Sequence, residues 1–571
     1  MRKFLLWFGV AVAVFIIFVA GIYFVLSALL RDEPYIPRNS YLVCNIWGTL
    51  PEYTAIDALE EYLSGTMLDM VKLRKSLKMA AVDERISGVV MRIGLLQTGF
   101  AKIQELHQLI SEFKKSGKKI IAHLDVATTR DYLLASACDS VYMQPGGAIL
   151  LTGVAAEVTF YKGLLNKVGI EADFEHVGKY KSYPEPYTRQ EMSDTQREVI
   201  NGILENRFDH LLKTISVNRN IPEAQLEQII DTISGFTGDD ALNNGLIDGL
   251  RYPDEYSSIF SQDDRKISEV SALNYARIDP QDLGVETGPK LAVIYCAGTI
   301  TGGEDGSDPI FGGTIGANRV IRNIESATRS KSIKAIILRI DSPGGSGIAS
   351  EKIWYSIKNA AEEKPVIASI SDLGASGGYY IAIGADTIIA QSTSLIGSIG
   401  VFIGKFSIAS LYEKLGINVE SIQRGKNARM FSLVKTFSAS ERKVVRKLIE
   451  DAYEDFITRV AESRGKTVEA IDEIAQGRVW SGKQGYELGL IDTLGGFEEA
   501  INIAKEQANI DPDEDVQLII YPRRRSFFGS FFRYLSVLEY SPYSYLDKIE
   551  NHIRTFQLQY LMLMPYKINF N

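Results

Sequence analysis

The stretch Ile86-Ser-Gly-Val-Val-Met-Arg-Ile93 recurs 247 positions later as Ile333-Lys-Ala-Ile-Ile-Leu-Arg-Ile340. Each copy is a short apolar run of the kind that forms a buried strand. Further pairs recur at nearly the same offset: Gly169-Ile170 with Gly416-Ile417, Gly48-Thr49 with Gly298-Thr299, and Gly245-Leu-Ile-Asp248 with Gly489-Leu-Ile-Asp492. This spacing indicates that one structural unit occurs twice in the 571-residue chain.

Apolar strands and amphipathic helices alternate in both copies. The pattern predicts strands at 42–46, 89–93, 120–124, 290–295, 335–340 and 366–370, with helices at 67–80, 103–114, 317–330 and 348–362 and from Ser376 onward. Such alternation is typical of βαβ units with a mostly parallel sheet. A long helical arm follows each core, at 194–218 after the N-cap Ser193 and at 440–463 after Ser438 or Ser440. A linker is expected near 278–287.

Composition excludes several classes of protein. The chain has 62 Lys and Arg against 71 Asp and Glu, a net charge of −9, which argues against a nucleic-acid partner. Three cysteines, Cys44, Cys138 and Cys296, cannot form a disulfide framework, and no Cys or His spacing suggests a metal site. We therefore expect no metal and no cofactor.

The amino terminus predicts a membrane anchor. Residues 4–30 carry no charge, and Arg2-Lys3 precedes them. Such a run is long enough to span about 30 Å of hydrocarbon, and the basic residues favour a cytoplasmic amino terminus. A cleaved secretory signal is the alternative. At the other end, 521–571 combine Arg523-Arg-Arg525 with many aromatic residues, which suits either a membrane surface or packing on its own domain or on a neighbour.

The two copies differ at the residues that can carry chemistry. Ser376 in the second copy corresponds to Thr129 in the first, whereas Lys181 in the first corresponds to Ala428 in the second. Ser398 corresponds to Leu151, and the glycine pair of Pro343-Gly-Gly345 to Leu96-Gln-Thr98. Losses that complement each other suggest one composite site built from both copies.

Ser376 stands in a turn between a predicted strand and a helix, where a nucleophile is accessible to helix N-terminal N–H groups. A serine there is also a common N-cap. A Ser-His-Asp triad is possible only through His176 or His210. Lysine is the better candidate for the base, because burial can keep an amine neutral. Lys181 has bulky neighbours that can exclude water, whereas Lys179 suits a solvated charge.

These motifs resemble the signal peptide peptidase A family, in its long two-repeat (protease IV) type. The resemblance rests on Asp341-Ser-Pro-Gly-Gly345, Asp372-Leu-Gly-Ala-Ser-Gly-Gly-Tyr379, Gly397-Ser-Ile-Gly400 and Tyr180-Lys-Ser182 with Glu185-Pro186. It implies a tandem duplication of Clp-protease/crotonase-like α/β units, with helical arms, after one transmembrane helix. It further implies Ser376 as nucleophile, Lys181 as general base and Ser398 as the group that orients the lysine. The N–H groups of Gly344 or Gly345, with Gly377, would bind the oxyanion. Tyr183-Pro184 departs from the family pattern and is expected to reshape the substrate groove.

The resemblance also implies the protein's setting. We expect a cytoplasmic stub (1–3), an anchor (4–30), a repeat supplying the lysine (31–285), a repeat supplying the serine and oxyanion hole (286–510), and a tail (511–571). The family's substrates are remnant signal peptides, which are apolar, and its members form homotetramers. The body would lie on the outer side of the bacterial inner membrane. Two other functions stay open: a crotonase-type enzyme acting on acyl-CoA thioesters, and an inert membrane scaffold.

Overall fold

The structure is a computed structural model that describes residues 34–54, 67–261, 267–308, 312–522, 561–564 and 569–570, with isolated positions at 7, 9, 14 and 21. The predicted anchor, residues 4–30, lies outside the described residues apart from those four positions. Among the residues described, no helix combines the length and apolar character needed to cross a membrane.

The first repeat contains a seven-stranded sheet whose central strands are parallel and buried. Its strands are β1 (Ser40–Trp47), β2 (Ile86–Gly94), β3 (Lys119–Thr128), β4 (Ser140–Leu150), β7 (Gly235–Thr237), β8 (Gly249–Leu250) and β9 (Ser268–Ser271). The order is β7-β4-β3-β2-β1-β9, with β8 also paired to β4. The quoted stretch Ile86–Ile93 lies in β2. Its side chains are mostly buried on both faces of the sheet, which explains why the run is apolar almost throughout.

The second repeat contains an eight-stranded sheet of the same design. Its strands are β10 (Lys290–Ala297), β14 (Ile333–Ser342), β16 (Val366–Ala375), β17 (Thr387–Ala390), β18 (Leu395–Gly397), β20 (Val479–Ser481), β21 (Thr493–Leu494) and β22 (Gln517–Tyr521). The order is β20-β18-β16-β14-β10-β22, with β17 between β16 and β21. β22 comes from the segment predicted as tail, so this sheet extends past residue 510.

A third sheet joins the two repeats and passes through the candidate site. Its strands are β6 (Glu171–Val177), β11 (Thr299–Thr301), β12 (Gly306–Asp308), β13 (Gly312–Gly316), β15 (Gly344–Ser346), β19 (Val401–Ser407) and β23 (Leu561–Leu563). The order is β12-β13-β11-β15-β23-β19-β6. β6 of the first repeat pairs antiparallel with β19 of the second along its whole length, from Val177 opposite Val401 to Glu171 opposite Ser407. A small sheet pairs β5 (Ala156–Glu157) with β24 (Asn569–Phe570).

Each helix predicted from the sequence is present, with ends within three residues of those predicted, and several short helices were not predicted. Those of the first repeat are α1 (Met70–Val82), α2 (Phe100–Lys114), α3 (Thr129–Ala135), α4 (Lys162–Val168), α5 (Glu185–Thr188), α6 (Asp194–Arg219), α7 (Glu223–Thr232), α8 (Gly238–Asn243), α9 (Tyr256–Phe260) and α10 (Ala272–Tyr275). Those of the second are α11 (Ala317–Arg329), α12 (Gly347–Ala361), α13 (Gly377–Ala382), α14 (Ala409–Lys414), α15 (Ala439–Arg464), α16 (Val468–Ile474), α17 (Gly482–Glu487) and α18 (Phe497–Gln507).

The two long arms, α6 and α15, begin at side-chain caps, and the second cap resolves the alternative that the sequence left open. Ser193 accepts a hydrogen bond from the Gln196 N–H, and Ser438, rather than Ser440, accepts one from the Glu441 N–H. Glu441 completes a reciprocal capping box at Ser438. The predicted linker holds a short 3₁₀ turn, Pro280–Leu283.

Candidate active site

Three polar side chains from the two repeats meet in the buried interior between them. Lys181 Nζ donates a hydrogen bond to Ser376 Oγ at 2.7 Å, and it also contacts the Ser398 carbonyl oxygen at 2.9 Å and Ser398 Oγ at 3.1 Å. Ser376 and Ser398 have no exposed surface and Lys181 is 1% exposed. The lysine reaches the serine within one chain, which the sequence did not decide.

Lys181 reaches this place because the turn after β6 crosses into the second repeat. Tyr180 N–H donates to the Gln476 carbonyl oxygen at 2.7 Å, which fixes the turn against the segment before β20. A Cβ at Gly477 would lie 2.6 Å from Lys181 Cβ, so only glycine lets the two backbones approach so closely. The predicted bulky neighbour Tyr183 is buried and stacks on Phe402, with ring centroids 4.4 Å apart.

Ser376 lies between β16 and α13 with φ 55° and ψ −116°, a conformation that L-residues rarely adopt. Its N–H donates to the Gly397 carbonyl oxygen at 2.7 Å, which holds the turn against β18. Ser398 also has positive φ, 50°. Strained serines cost roughly 1–3 kcal/mol each and tend to occur at functional sites. The Ser376 side chain caps no N–H of α13, and its Oγ contacts Lys181 Nζ instead.

The glycine pair lies directly beside Ser376. Gly344 has φ 101°, and a Cβ on it would lie 2.6 Å from the Gly377 nitrogen. The N–H of Gly344 donates to Ser342 Oγ at 3.2 Å, so it is already engaged. We take the N–H groups of Gly345, in β15, and of Gly377, at the start of α13, as the candidate donors for a negatively charged oxygen next to Ser376.

Burial lowers the pKa of Lys181 well below its ordinary value, and desolvation is the cause. A buried amine of this kind is neutral over a wider pH range and can accept the proton of a serine hydroxyl.

The alternative bases lie elsewhere. His176 is exposed on β6, and its Nδ1 lies 3.2 Å from the Gly178 carbonyl oxygen. His210 is partly buried in α6, where desolvation lowers its pKa to about 4. Lys179 is exposed, with Nζ 4.9 Å from the centre of the Tyr180 ring. Across the described part of the chain, Ser376 has no hydrogen bond to a histidine, and the predicted Ser-His-Asp alternative has no geometric support there.

A lysine of the first repeat, which was not predicted from the sequence, pairs with acidic residues near the ends of β14 and β16. These two strands lead to the glycine turn and to Ser376. Lys102 Nζ in α2 lies 2.6 Å from Asp341 Oδ2 and 3.3 Å from Asp372 Oδ2. Asp341 precedes the glycine turn, and Asp372 precedes Ser376 by four residues. Desolvation opposes the charge of Lys102, but attraction by these carboxylates outweighs it and raises the pKa, so the amine stays charged. A signal was present: Lys102 and Glu105 are charged residues on the buried face of α2.

The amino end of α2 also contacts Asp372, in addition to the ion pair with Lys102. The N–H groups of Ala101 and Lys102 both donate to Asp372 Oδ1 at 3.1 Å, so a carboxylate of one repeat caps a helix of the other. Behind it, the buried Arg339 pairs with Glu52 at 2.7 Å and with Glu105 at 2.7 Å. Desolvation opposes the charge of Glu52, but Arg339 and Lys102 hold its pKa at about 2.

The carboxyl-terminal strand β23 enters the same site. It lies antiparallel to β15, with Gly344 opposite Leu563, Gly345 opposite Met562 and Ser346 opposite Leu561. On its other side Leu561 lies opposite Phe402 of β19. This position could not be predicted from the sequence, because nothing in residues 561–564 distinguishes a strand in the site from an apolar tail.

Comparisons with known proteins identify the family of this chain. A family model described as Peptidase family S49 matches residues 112–265 and 358–511, once in each repeat. The chain is 36% identical over 460 residues to the chloroplastic serine protease SPPA of Arabidopsis thaliana, covering 79% of this chain and 68% of that protein. It is 32% identical over 469 residues to Protease 4 of Salmonella typhi, covering 80% and 73%.

Among solved structures, a mutant of ClpP1 from Listeria monocytogenes matches at 15% identity, with a TM-score of 0.24, over 37% of this chain and 94% of that one. The Clp-protease/crotonase likeness stays a prediction. The duplication and the α/β class are confirmed by the two family matches and the sheets. The chain belongs to peptidase family S49, in two tandem units, and is a serine protease.

Proposed function

We propose that this protein is a Ser-Lys endopeptidase in which Ser376 is the nucleophile, Lys181 the general base and Ser398 the residue that orients the lysine. The observation that carries the proposal is the 2.7 Å hydrogen-bonding distance between Lys181 Nζ and Ser376 Oγ in a buried interior, within which the neutral amine can accept the serine proton. Two contacts to Ser398 fix the direction of the amine. A serine nucleophile requires an adjacent base in this relation.

The reaction is acyl transfer. Neutral Lys181 takes the proton of Ser376 as Oγ attacks the carbonyl carbon of a peptide bond, and the carbonyl oxygen becomes an oxyanion. The N–H groups of Gly345 and Gly377 stabilise that oxygen. Collapse breaks the C–N bond, and the protonated lysine gives its proton to the leaving amine. Water, activated by the same lysine, then hydrolyses the Ser376 ester.

The substrates we propose are remnant signal peptides, which are extended and apolar. Two apolar clusters near the site support this class: one contains Tyr183 and Phe402, and the other contains Ile203, Leu395 and Val479. The proposal that residues 4–30 anchor the protein in the inner membrane, with a cytoplasmic amino terminus, rests on the sequence alone.

The lysine makes activity depend on pH in a defined direction. Below its lowered pKa Lys181 is protonated and cannot act as a base, whereas above it the amine is neutral. We expect kcat/KM on an apolar peptide to rise with pH through the Lys181 pKa and then to level off. Initial rates from acid to mildly alkaline pH, with circular dichroism at each pH, measure this. A rate that falls with rising pH in a folded protein would contradict the assignment.

We propose a homotetramer, and the duplicated architecture supports a specific contact between chains. Within one chain, β6 of the first repeat pairs with β19 of the second. At the repeat offset, 418–424 correspond to β6 and 154–160 correspond to β19. Residues 418–424 form no strand, and their Val419 and Ile422 are 50% and 92% exposed. Pairing 418–424 of one chain with 154–160 of the next would repeat the internal contact, as a head-to-tail ring requires.

The proposed contact predicts the mass in solution. Each chain is 63.4 kDa, and the double variant Val419→Asp, Ile422→Asp is expected to sediment as a smaller species than wild type, because two charges enter an apolar interface. Val217→Asp, at an 80% exposed position, is the matched control. An unchanged sedimentation mass in the double variant would place the interface elsewhere.

A further inference from the structure

A segment of the protein itself packs in the two apolar clusters that we propose bind the substrate, and the place it fills is called the groove below. We propose that Leu561–Met564 is a standing occupant of the groove that lies across the catalytic residues and competes with substrate. This inference rests on the proposed function and concerns its regulation.

The backbone of the segment lies as a bound peptide would lie. β23 lies between β15 and β19 and is antiparallel to both. The N–H of Met564 donates to the Pro343 carbonyl oxygen at 2.8 Å. Addition of an extended strand to exposed strand edges is a general mode of peptide recognition, in which backbone hydrogen bonds supply affinity.

One carbonyl of the segment lies at the proposed oxyanion donors. The space that a Cβ at Gly344 would fill is bordered by the Met562 carbonyl oxygen and, at 2.6 Å, by the Gly377 nitrogen. The Met562 carbonyl oxygen therefore lies near the Gly377 N–H, and Met562 itself lies opposite Gly345, the other residue whose N–H is assigned to the oxyanion. A peptide carbonyl in this place, beside Ser376, is what a substrate must present.

The side chains of the segment pack in the two apolar clusters. Leu561 and Leu563 pack with Tyr183 and Phe402 in one. Met564 packs with Ile203, Leu395 and Val479 in the other. Alternate residues of a strand point to opposite faces, so an apolar strand matches both clusters at once.

With the segment seated, the catalytic groups are closed off. Ser376 has no exposed surface and Lys181 is 1% exposed. A peptide can bind only in the fraction of molecules from which β23 has left, so the apparent affinity for substrate falls by that fraction. Occupancy therefore raises KM and leaves kcat unchanged.

The full-length double variant Leu561→Asp, Leu563→Asp tests this, because two carboxylates disfavour entry of the segment into an aromatic pocket. We expect kcat/KM on an apolar peptide to rise about fivefold or more, through KM. Ser376 should also react faster with a fluorophosphonate probe. Val217→Asp, an apolar-to-acid change at an exposed site, is the control and should match wild type.

A second measurement does not depend on how the variant folds. A synthetic peptide of residues 558–566 should inhibit the double variant competitively, and a scrambled peptide of the same composition should not.

The proposal is overturned if kcat/KM and probe reactivity are unchanged in a folded variant, or if the peptide does not inhibit. In either case, Ser376-dependent cleavage by wild type would still support the peptidase function. If neither wild type nor variant cleaves peptides or reacts at Ser376, the proposed function itself fails. The masses of purified wild type and Ser376→Ala give a third check. If wild type lacks the residues after 562 and Ser376→Ala retains them, the enzyme cleaves its own segment. The segment would then be a substrate and not a standing occupant, which would overturn the proposal.

Discussion

Replacement of Lys181 by methionine is expected to lower kcat/KM on an apolar peptide by on the order of 10³-fold or more, within the range that general bases contribute. Methionine keeps the length and apolar stem of lysine but cannot accept the Ser376 proton at 2.7 Å. Purified full-length enzyme and variant are compared on the same fluorogenic peptide, with Ser376→Ala as the reference for complete loss of the nucleophile.

The stability of the same variant separates a catalytic role from a structural one. The folded-state pKa of Lys181 is lowered by burial, so between that pKa and the ordinary value of 10.5 the unfolded chain binds a proton that the folded chain does not. The lysine therefore destabilises the folded protein at neutral pH, and this cost disappears only above the unfolded pKa. Lys181→Met is expected to melt at the same temperature as wild type or higher while it loses activity.

Two further results bear on the composite site. Adding Ala428→Lys to Lys181→Ala should not restore cleavage, because Ala428 lies on an exposed segment and not beside Ser376. Full activity in Lys181→Met would show that another group is the base, and rescue by Ala428→Lys would show that position 428 also faces Ser376. Lys179→Met is the matched control, since Lys179 is exposed and should be dispensable.

Replacement of Lys102 by methionine is expected to have the second-largest effect, although Lys102 does not touch the reacting atoms. Its amine joins Asp341 and Asp372, which lie at the ends of the strands leading to the glycine turn and to Ser376. Removing one member of a buried charged cluster costs about 3–5 kcal/mol, because the remaining carboxylates are left uncompensated. A shift of the two turns by about 1 Å would lower kcat by roughly 10²-fold.

Kinetics distinguish this positioning role from general destabilisation. At a temperature where the variant is folded, kcat should fall while KM and the pKa of the ascending pH limb change little, since Lys181 and the groove are intact. Asp372→Asn, which keeps the side-chain size, should give a smaller loss of the same kind. Lys115→Met removes an exposed lysine that pairs with Glu112 on the surface, and it should leave kcat and melting temperature nearly unchanged. Wild-type kcat in folded Lys102→Met would rule out the positioning role.

The regular elements were predictable because local pattern governs them. The apolar runs that became β2, β3, β14 and β16 were predicted within a few residues, since a strand buried on both faces must be apolar throughout. The long arms were predicted from helical periodicity and N-cap serines. Strands β6, β19 and β23 were not, because they are held by partners far away in sequence.

Residue identities alone established that the chain is a duplicated α/β protein and that Ser376 and Lys181 lie in different copies, because repeats and their complementary losses are visible without coordinates. The folded chain was needed to show that Lys181 crosses to Ser376 within one chain, that Lys102 ties Asp341 to Asp372, and that Leu561–Met564 lies against Gly344 and Gly345. Each of these contacts joins residues that are far apart in sequence, 195 positions in the case of Lys181 and Ser376. Their energy comes from burial, charge pairing and strand addition between surfaces that local sequence does not specify.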